Sequence, residues 1–151
     1  MRRQIEAYLP RYPTKQAVVL PALHIVHEQL RCVPLPAVVE IAEMLDLAPA
    51  EVFDTLSFYG FFRSSEKPMG KHRAWVCRSI ACALRGGEEV LSALCRRLNV
   101  RPGETSADGL VTLEFSECLG TCDFAPCALV DGTIHKNLST DTLDGVISAF
   151  R

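Results

Sequence analysis

Cys77-Arg-Ser-Ile-Ala-Cys82 and Cys118-Leu-Gly-Thr-Cys122 are two short cysteine pairs, and each follows a stretch that reads as a strand. His72 to Cys77 is a short strand candidate that ends in the first pair, and Leu110 to Phe115 alternates like a strand and runs into the second. A rhombic 2Fe–2S cluster has two irons, and each takes two thiolates from the protein. Two cysteine pairs on neighbouring loops meet that demand. Structural zinc favours two to four residues between paired ligands, so the second pair suits zinc, but CxxxxC with CxxxC is not its usual combination. A plant-type ferredoxin needs a further cysteine three positions after Cys82, where this chain has Arg85. Thioredoxin-type dithiol exchange needs CxxC, which is absent from the sequence.

Outward from these loops, the C-terminal part alternates strand and helix signals. Glu88 to Leu98 is a helix with Val90, Leu91, Leu94 and Leu98 inward, and Pro102 to Gly109 is loop. Ala128-Leu129-Val130, Asp131-Gly132 and Thr133-Ile134-His135 read as a hairpin, because Asp-Gly suits the tight turn between antiparallel strands. Ser139 is expected to cap a final helix carrying Leu143, Val146, Ile147 and Phe150. The order β-α-β-β-α is compatible with a small thioredoxin-like sheet.

The N-terminal part reads as helices. Val18, Val19, Ala22, Leu23, Val26 and Leu30 form one helical face, within which Pro21 is expected to bend or loosen the turn. A second helix opens at Pro36 and a third at Pro49, where proline suits the first helical position. The polar, turn-rich run Ser64 to Gly70 reads as a linker. The fold class is therefore α+β, α/β-like in its C-terminal part, with a helical domain over 1–63, a linker over 64–70 and a sheet domain over 71–151.

The chain has 151 residues, 48% hydrophobic and 23% charged, with a formal net charge of −2. Each half contributes −1: 7 basic against 8 acidic residues through Gly70, then 9 against 10. Without a basic surplus, neither nucleic acid nor an anionic membrane is indicated as the main partner. Met-Arg-Arg-Gln-Ile-Glu-Ala lacks the apolar core of a signal peptide. Ala17 to Val26 is too short to span a bilayer. Seven cysteines, an odd number, fit metal binding better than disulfides, and the expected compartment is the cytoplasm.

A wider pattern surrounds the cysteines: Leu84-Arg85-Gly86-Gly87-Glu88-Glu89, the loop Arg101 to Gly109, and Glu117-Cys118-Leu119-Gly120-Thr121-Cys122 with Ala125-Pro126. Leu20-Pro21-x-Leu23-His24, Pro49-x-Glu51-Val52 and Ser57-Phe58-Tyr59-xx-Phe62 extend it into the N-terminal half. Taken together, these resemble the thioredoxin-like 2Fe–2S subunits of the NADH-input module in bacterial NADH:quinone oxidoreductase (complex I). Similar subunits occur in NAD-linked hydrogenases and formate dehydrogenases. The resemblance covers nearly the whole chain. It implies a helical bundle followed by a thioredoxin-like 2Fe–2S ferredoxin domain, with Cys77 and Cys82 on one iron and Cys118 and Cys122 on the other. It also implies a larger flavoprotein partner that holds FMN and NAD(H), gripped by the helical part, with the cluster near the flavin. This chain would then be a redox subunit with no complete active site of its own.

Cys127 departs from the family pattern, standing where relatives carry an apolar residue; it reads as core packing, with ligand exchange left open. Cys32 and Cys95 read as small buried hydrophobes. His24, His27 and Glu28 give HxxHE, not the HExxH order of a zinc protease, and read as helix surface or partner contact. His72 and His135 belong to no constellation. Gly86-Gly87 reads as loop flexibility before a helix; GxGxxG and the Walker pattern are both absent, which assigns the nicotinamide site to another chain. Arg78 and Arg85 flank the first pair, and cations there would ease addition of an electron to an anionic cluster; facing solvent or a partner is the equal alternative. Thr121 is a candidate donor to sulfur. The aromatic run Phe58 to Phe62 divides between core and interface. The expected function is electron transfer beside the NADH-oxidising flavin, with a hydrogenase or formate dehydrogenase subunit as alternative and a structural zinc scaffold as a more distant one.

Overall fold

The computed structural model describes residues 1–150. The chain divides into two compact units, Met1–Pro68 and the remainder from Met69. No helix among the described residues is long and apolar enough to cross a membrane.

The first unit holds α1 (Arg2–Glu6), α2 (Val19–Leu30), α3 (Leu35–Leu45) and α4 (Pro49–Phe58). Their apolar faces meet in one core, with Val19, Leu23 and Val26 from α2, Ile41 and Leu45 from α3, and Val52 from α4. Pro21 does not kink a helix interior. A 3-10 turn over Gln16–Val18 leads into α2, so Pro21 falls in the first turn, where its missing N–H has no intrahelical partner to lose. Pro49 starts α4, and the Glu51 side chain reaches back to accept from the Ala48 N–H at 2.9 Å. His27 is not on the helix surface. It is 5% exposed and meets Phe62 edge-on, with ring centroids 5.5 Å apart, while the exposed His24 stacks on Phe61. Phe58 at the end of α4 is 80% exposed, so the aromatic run splits into the core residue Phe62 and a solvent-facing ring.

The second unit is built on a mixed sheet of β1 (His72–Cys77), β2 (Glu104–Thr105), β3 (Val111–Ser116), β4 (Ala128–Val130) and β5 (Thr133–His135), in the order β2-β3-β1-β4-β5. β1 and β3 run parallel, with Cys77 opposite Ser116, so both strands deliver their following loops to the same end of the sheet. β4 lies antiparallel to β1, with Val76 opposite Ala128. The three helices are α5 (Ile80–Leu84), α6 (Gly87–Leu98) and α7 (Asp144–Ser148). Ala74, Val76, Leu113 and Val130 pack with Val90, Leu91 and Leu94 of α6 and with Val146 and Phe150 in one core. On strand positions alternate to these, Arg73 lies 4.4 Å from the Trp75 ring centroid, and both side chains donate to Glu114.

The final helix begins later than its sequence signal. Ser139 instead closes a turn with Thr142, whose hydroxyl accepts from the Ser139 N–H at 2.9 Å, and α7 starts at Asp144. Two short elements carry no sequence signal of their own: α5, a short helix that carries Cys82 of the first cysteine pair, and the two-residue strand β2.

Candidate metal centre

Cys77 ends β1, and Cys82 lies in α5; both are 2% exposed. Cys118 and Cys122 lie beyond β3 on a loop and are exposed. Parallel pairing of β1 with β3 is what brings the two loops together. Three links hold them: the Arg78 N–H donates to Ser116 O at 2.9 Å, the Cys77 Sγ lies 3.1 Å from Glu117 O, and the Arg78 guanidinium pairs with the Glu117 carboxylate. Arg78 therefore binds one loop to the other while its side chain stays exposed, and Arg85 is exposed too.

Cys127 also belongs to the site. It is fully buried just before β4, and its carbonyl accepts from the Cys77 N–H at 3.1 Å. The sulfurs of Cys77, Cys82 and Cys127 all lie within 4.8 Å of one another, with Cys82 and Cys127 3.8 Å apart. The Thr121 hydroxyl donates to the Cys127 sulfur at 3.0 Å. Cys127 packs in a small core with Cys77, Cys82 and Ala125, as its sequence position suggests, and its sulfur lies near theirs. By contrast, Cys32 lies in the helical unit, and Cys95 rests half-buried on α6 against the sheet core. Burial raises the Cys95 thiol, as expected of an inert filler.

The electrostatics divide the thiols. Burial works against ionising Cys77, but N–H groups of Ser79 and Leu119, with the thiols of Cys82 and Cys127, outweigh it and hold Cys77 below the ordinary thiol range. Cys82 is pushed up to about 12, first by burial and then by its hydrogen bond to Cys77. Cys122 is raised chiefly by the charge of Cys118, then by a hydrogen bond to it, with Cys77 and Cys127 adding to the effect. Thiolates packed this closely repel, and a shared cation removes the repulsion. The donor set is sulfur, with backbone N–H groups and a hydroxyl aimed at it. That chemistry fits a 2Fe–2S cluster, whose irons take thiolates and whose sulfurs accept hydrogen bonds.

Two glycines shape the loops. Gly120 takes a φ of +75° between Cys118 and Cys122, and its N–H donates to the Cys118 sulfur at 3.3 Å. Gly87, the first residue of α6, is not a flexible joint. A Cβ there would stand 2.9 Å from the Cys82 carbonyl oxygen and 3.1 Å from that of Cys77.

The model of the thioredoxin-like [2Fe-2S] ferredoxin family matches residues 5–151. An E-type NADH-quinone oxidoreductase subunit of Rhizobium meliloti (strain 1021) is 36% identical over 151 residues, which is 100% of this chain and 89% of that one. Its counterpart in the NADH-quinone oxidoreductase of Escherichia coli (strain K12) is 32% identical, over 99% of this chain and 89% of the relative. Among solved structures, an NAD+-reducing [NiFe]-hydrogenase in the H2-reduced state superimposes with a TM-score of 0.74 at 26% identity. That likeness spans 87% of this chain but 22% of the hydrogenase chain. Family match, relatives and cysteine geometry agree, and the chain belongs to the thioredoxin-like [2Fe-2S] ferredoxin family.

Proposed function

We propose that this chain is the electron-transfer subunit of a complex I-type NADH dehydrogenase, holding one 2Fe–2S cluster beside a separate subunit that binds FMN and NADH. Cys77 and Cys82 would hold one iron, and Cys118 and Cys122 the other. The observation that carries the reading is the gathering of an all-sulfur donor set where β1 and β3 end in parallel. The cluster, when bound, supplies a reversible one-electron change. The chain's residues set the conditions for it. N–H groups of Ser79 and Leu119 stabilise the Cys77 sulfur as an anion, and β1, α5 and β4 keep water from Cys82 and Cys127. The exposed loop carrying Cys118 and Cys122 leaves the other side open to an electron donor or acceptor.

Next to the cysteines the surface is unusually apolar. Ile80 and Leu84 of α5 are 76% and 82% exposed, and Phe124, two residues after Cys122, is 44% exposed. Large apolar side chains flanking a redox site suit a partner that covers it, since burying each gives about 1.5–3 kcal/mol. The flavoprotein subunit is the proposed partner, at the cytoplasmic face of the assembled complex. Leu84→Glu should weaken capture of the flavoprotein subunit at least about tenfold, a loss of about 1.4 kcal/mol. Its thermal midpoint and iron content should match those of the parent, because the side chain touches solvent. Unchanged capture would remove α5 from the interface.

Protein purified without oxygen should be brown, hold two irons and two sulfides per chain, and show one EPR signal when reduced. A colourless protein with stoichiometric zinc would overturn the cluster reading. The likeness to the NAD+-reducing hydrogenase favours a second reading, the equivalent subunit of such an enzyme. Identification of the subunits that co-purify with the chain decides between them.

A further inference from the structure

We propose that Cys127 is an interchangeable ligand: three thiols serve the two protein positions of the buried iron, and Cys127 replaces Cys82 when Cys82 is lost. The inference rests on the cluster reading above. Two thiolates on one tetrahedral metal, with bonds of about 2.3 Å, stand about 3.8 Å apart. Cys82 and Cys127 already have that separation, at 3.8 Å, and Cys77 lies within 4.8 Å of both. A filler cysteine needs no such register with other sulfurs; Cys95, packed on the core, shows the bland case.

The position of Cys127 is set by the sheet rather than by a loose loop. Its carbonyl is bonded to the Cys77 N–H, and the next residue, Ala128, pairs with Val76. The Thr121 hydroxyl donates to the Cys127 sulfur at 3.0 Å, a hydrogen bond of the kind that orients a metal-ligating side chain. Cys82, by contrast, sits in the five-residue helix α5, an element short enough to yield.

In the exchange, Cys127 gives up its thiol proton, and its sulfur forms the bond to iron that Cys82 relinquishes. The proton passes to the departing Cys82 sulfur, or to solvent where residue 82 is alanine. No electron moves, and iron keeps its oxidation state.

The test compares Cys82→Ala, Cys127→Ala and the double variant as full chains purified without oxygen, read by iron and sulfide content and by reduced-state EPR. Cys127→Ala, which keeps Cys77 and Cys82, should hold clearly more than the double variant. Cys82→Ala should keep at least about half of it with shifted g values, and the double variant under about a tenth, as expected when one iron loses a thiolate with no substitute. Equal content in Cys82→Ala and the double variant overturns the proposal, whichever level they share. Should circular dichroism show Cys82→Ala unfolded, Cys82→Ser with and without Cys127→Ala carries the same comparison, and equality again overturns it. A parent chain lacking two irons would sink the cluster reading itself, a separate outcome from equality between the variants.

Discussion

Cys118→Ala is expected to empty the site. In the proposed ligand set the exposed loop supplies two sulfurs to one iron. The three-thiol group lies on the buried side, so among the described residues Cys118 has no third thiol standing behind it. Loss of Cys118 leaves an open coordination position on the side that water and oxygen reach. Iron and sulfide should fall to under about a tenth of the parent level, with the visible bands and the EPR signal lost together. Cys95→Ala is the matched control, since it removes a thiol from the same unit without touching the site. Its sulfur packs on the sheet core, so trimming it should cost only about 1 kcal/mol of stability and no iron. Equal iron in the two variants would remove Cys118 from the ligand set. A zinc scaffold would show the same dependence on Cys118 but would read as zinc by elemental analysis, with no colour to lose.

The same contrast explains what the chain made legible before its structure. Periodicity and turn chemistry are local, and they sufficed for the strand ending at Cys77, the Asp131-Gly132 hairpin and the helix through Val90, Leu91 and Leu94. The two cysteine pairs were readable because each sits at a strand end. For Cys127 the sequence leaves ligand exchange open without placing the sulfur, because what brings it to Cys82 is the antiparallel register of β4 on β1, a pairing of segments far apart in the chain that no local pattern encodes. The burial of His27 is hidden from local pattern for a similar reason: its ring packs against Phe62, contributed from beyond α4. Ser139 was a fair cap by type, but its backbone and the Thr142 hydroxyl satisfy each other, so the helix waits until Asp144. The sequence signals that did exist for Cys127 were its departure from the apolar residue of relatives and its place directly after Ala125-Pro126, beside the second pair.

Gly87→Ala tests how tightly the first cysteine loop is fitted, and its sign runs against helix propensity. In a helix, alanine is ordinarily better than glycine by about 0.5–1 kcal/mol. At Gly87, however, the new Cβ meets the Cys82 carbonyl oxygen at 2.9 Å, the Cys82 carbonyl carbon at 3.1 Å and the Cys77 carbonyl oxygen at 3.1 Å. These are backbone atoms of both cysteines of the first pair, and none can rotate aside as a side chain would. Either α6 moves off the sheet, opening the core at Val90 and Leu94, or the loop moves and takes the Cys77 and Cys82 sulfurs with it. Overpacking of this kind costs about 1–3 kcal/mol, which exceeds the propensity gain and fixes the direction as destabilising. For a domain of this size that lowers the thermal midpoint by roughly 4–8 °C per kcal/mol, and iron content should fall with it because the sulfurs are displaced. Gly145→Ala supplies the opposite sign. It lies in α7 with nothing within 4 Å of its Cβ, so the same substitution should be neutral or stabilising there. Melting curves and iron assays on the two variants separate crowding from propensity. If Gly87→Ala melts as high as Gly145→Ala and keeps its iron, the close approach of α6 to the cysteine loop is not what makes glycine necessary.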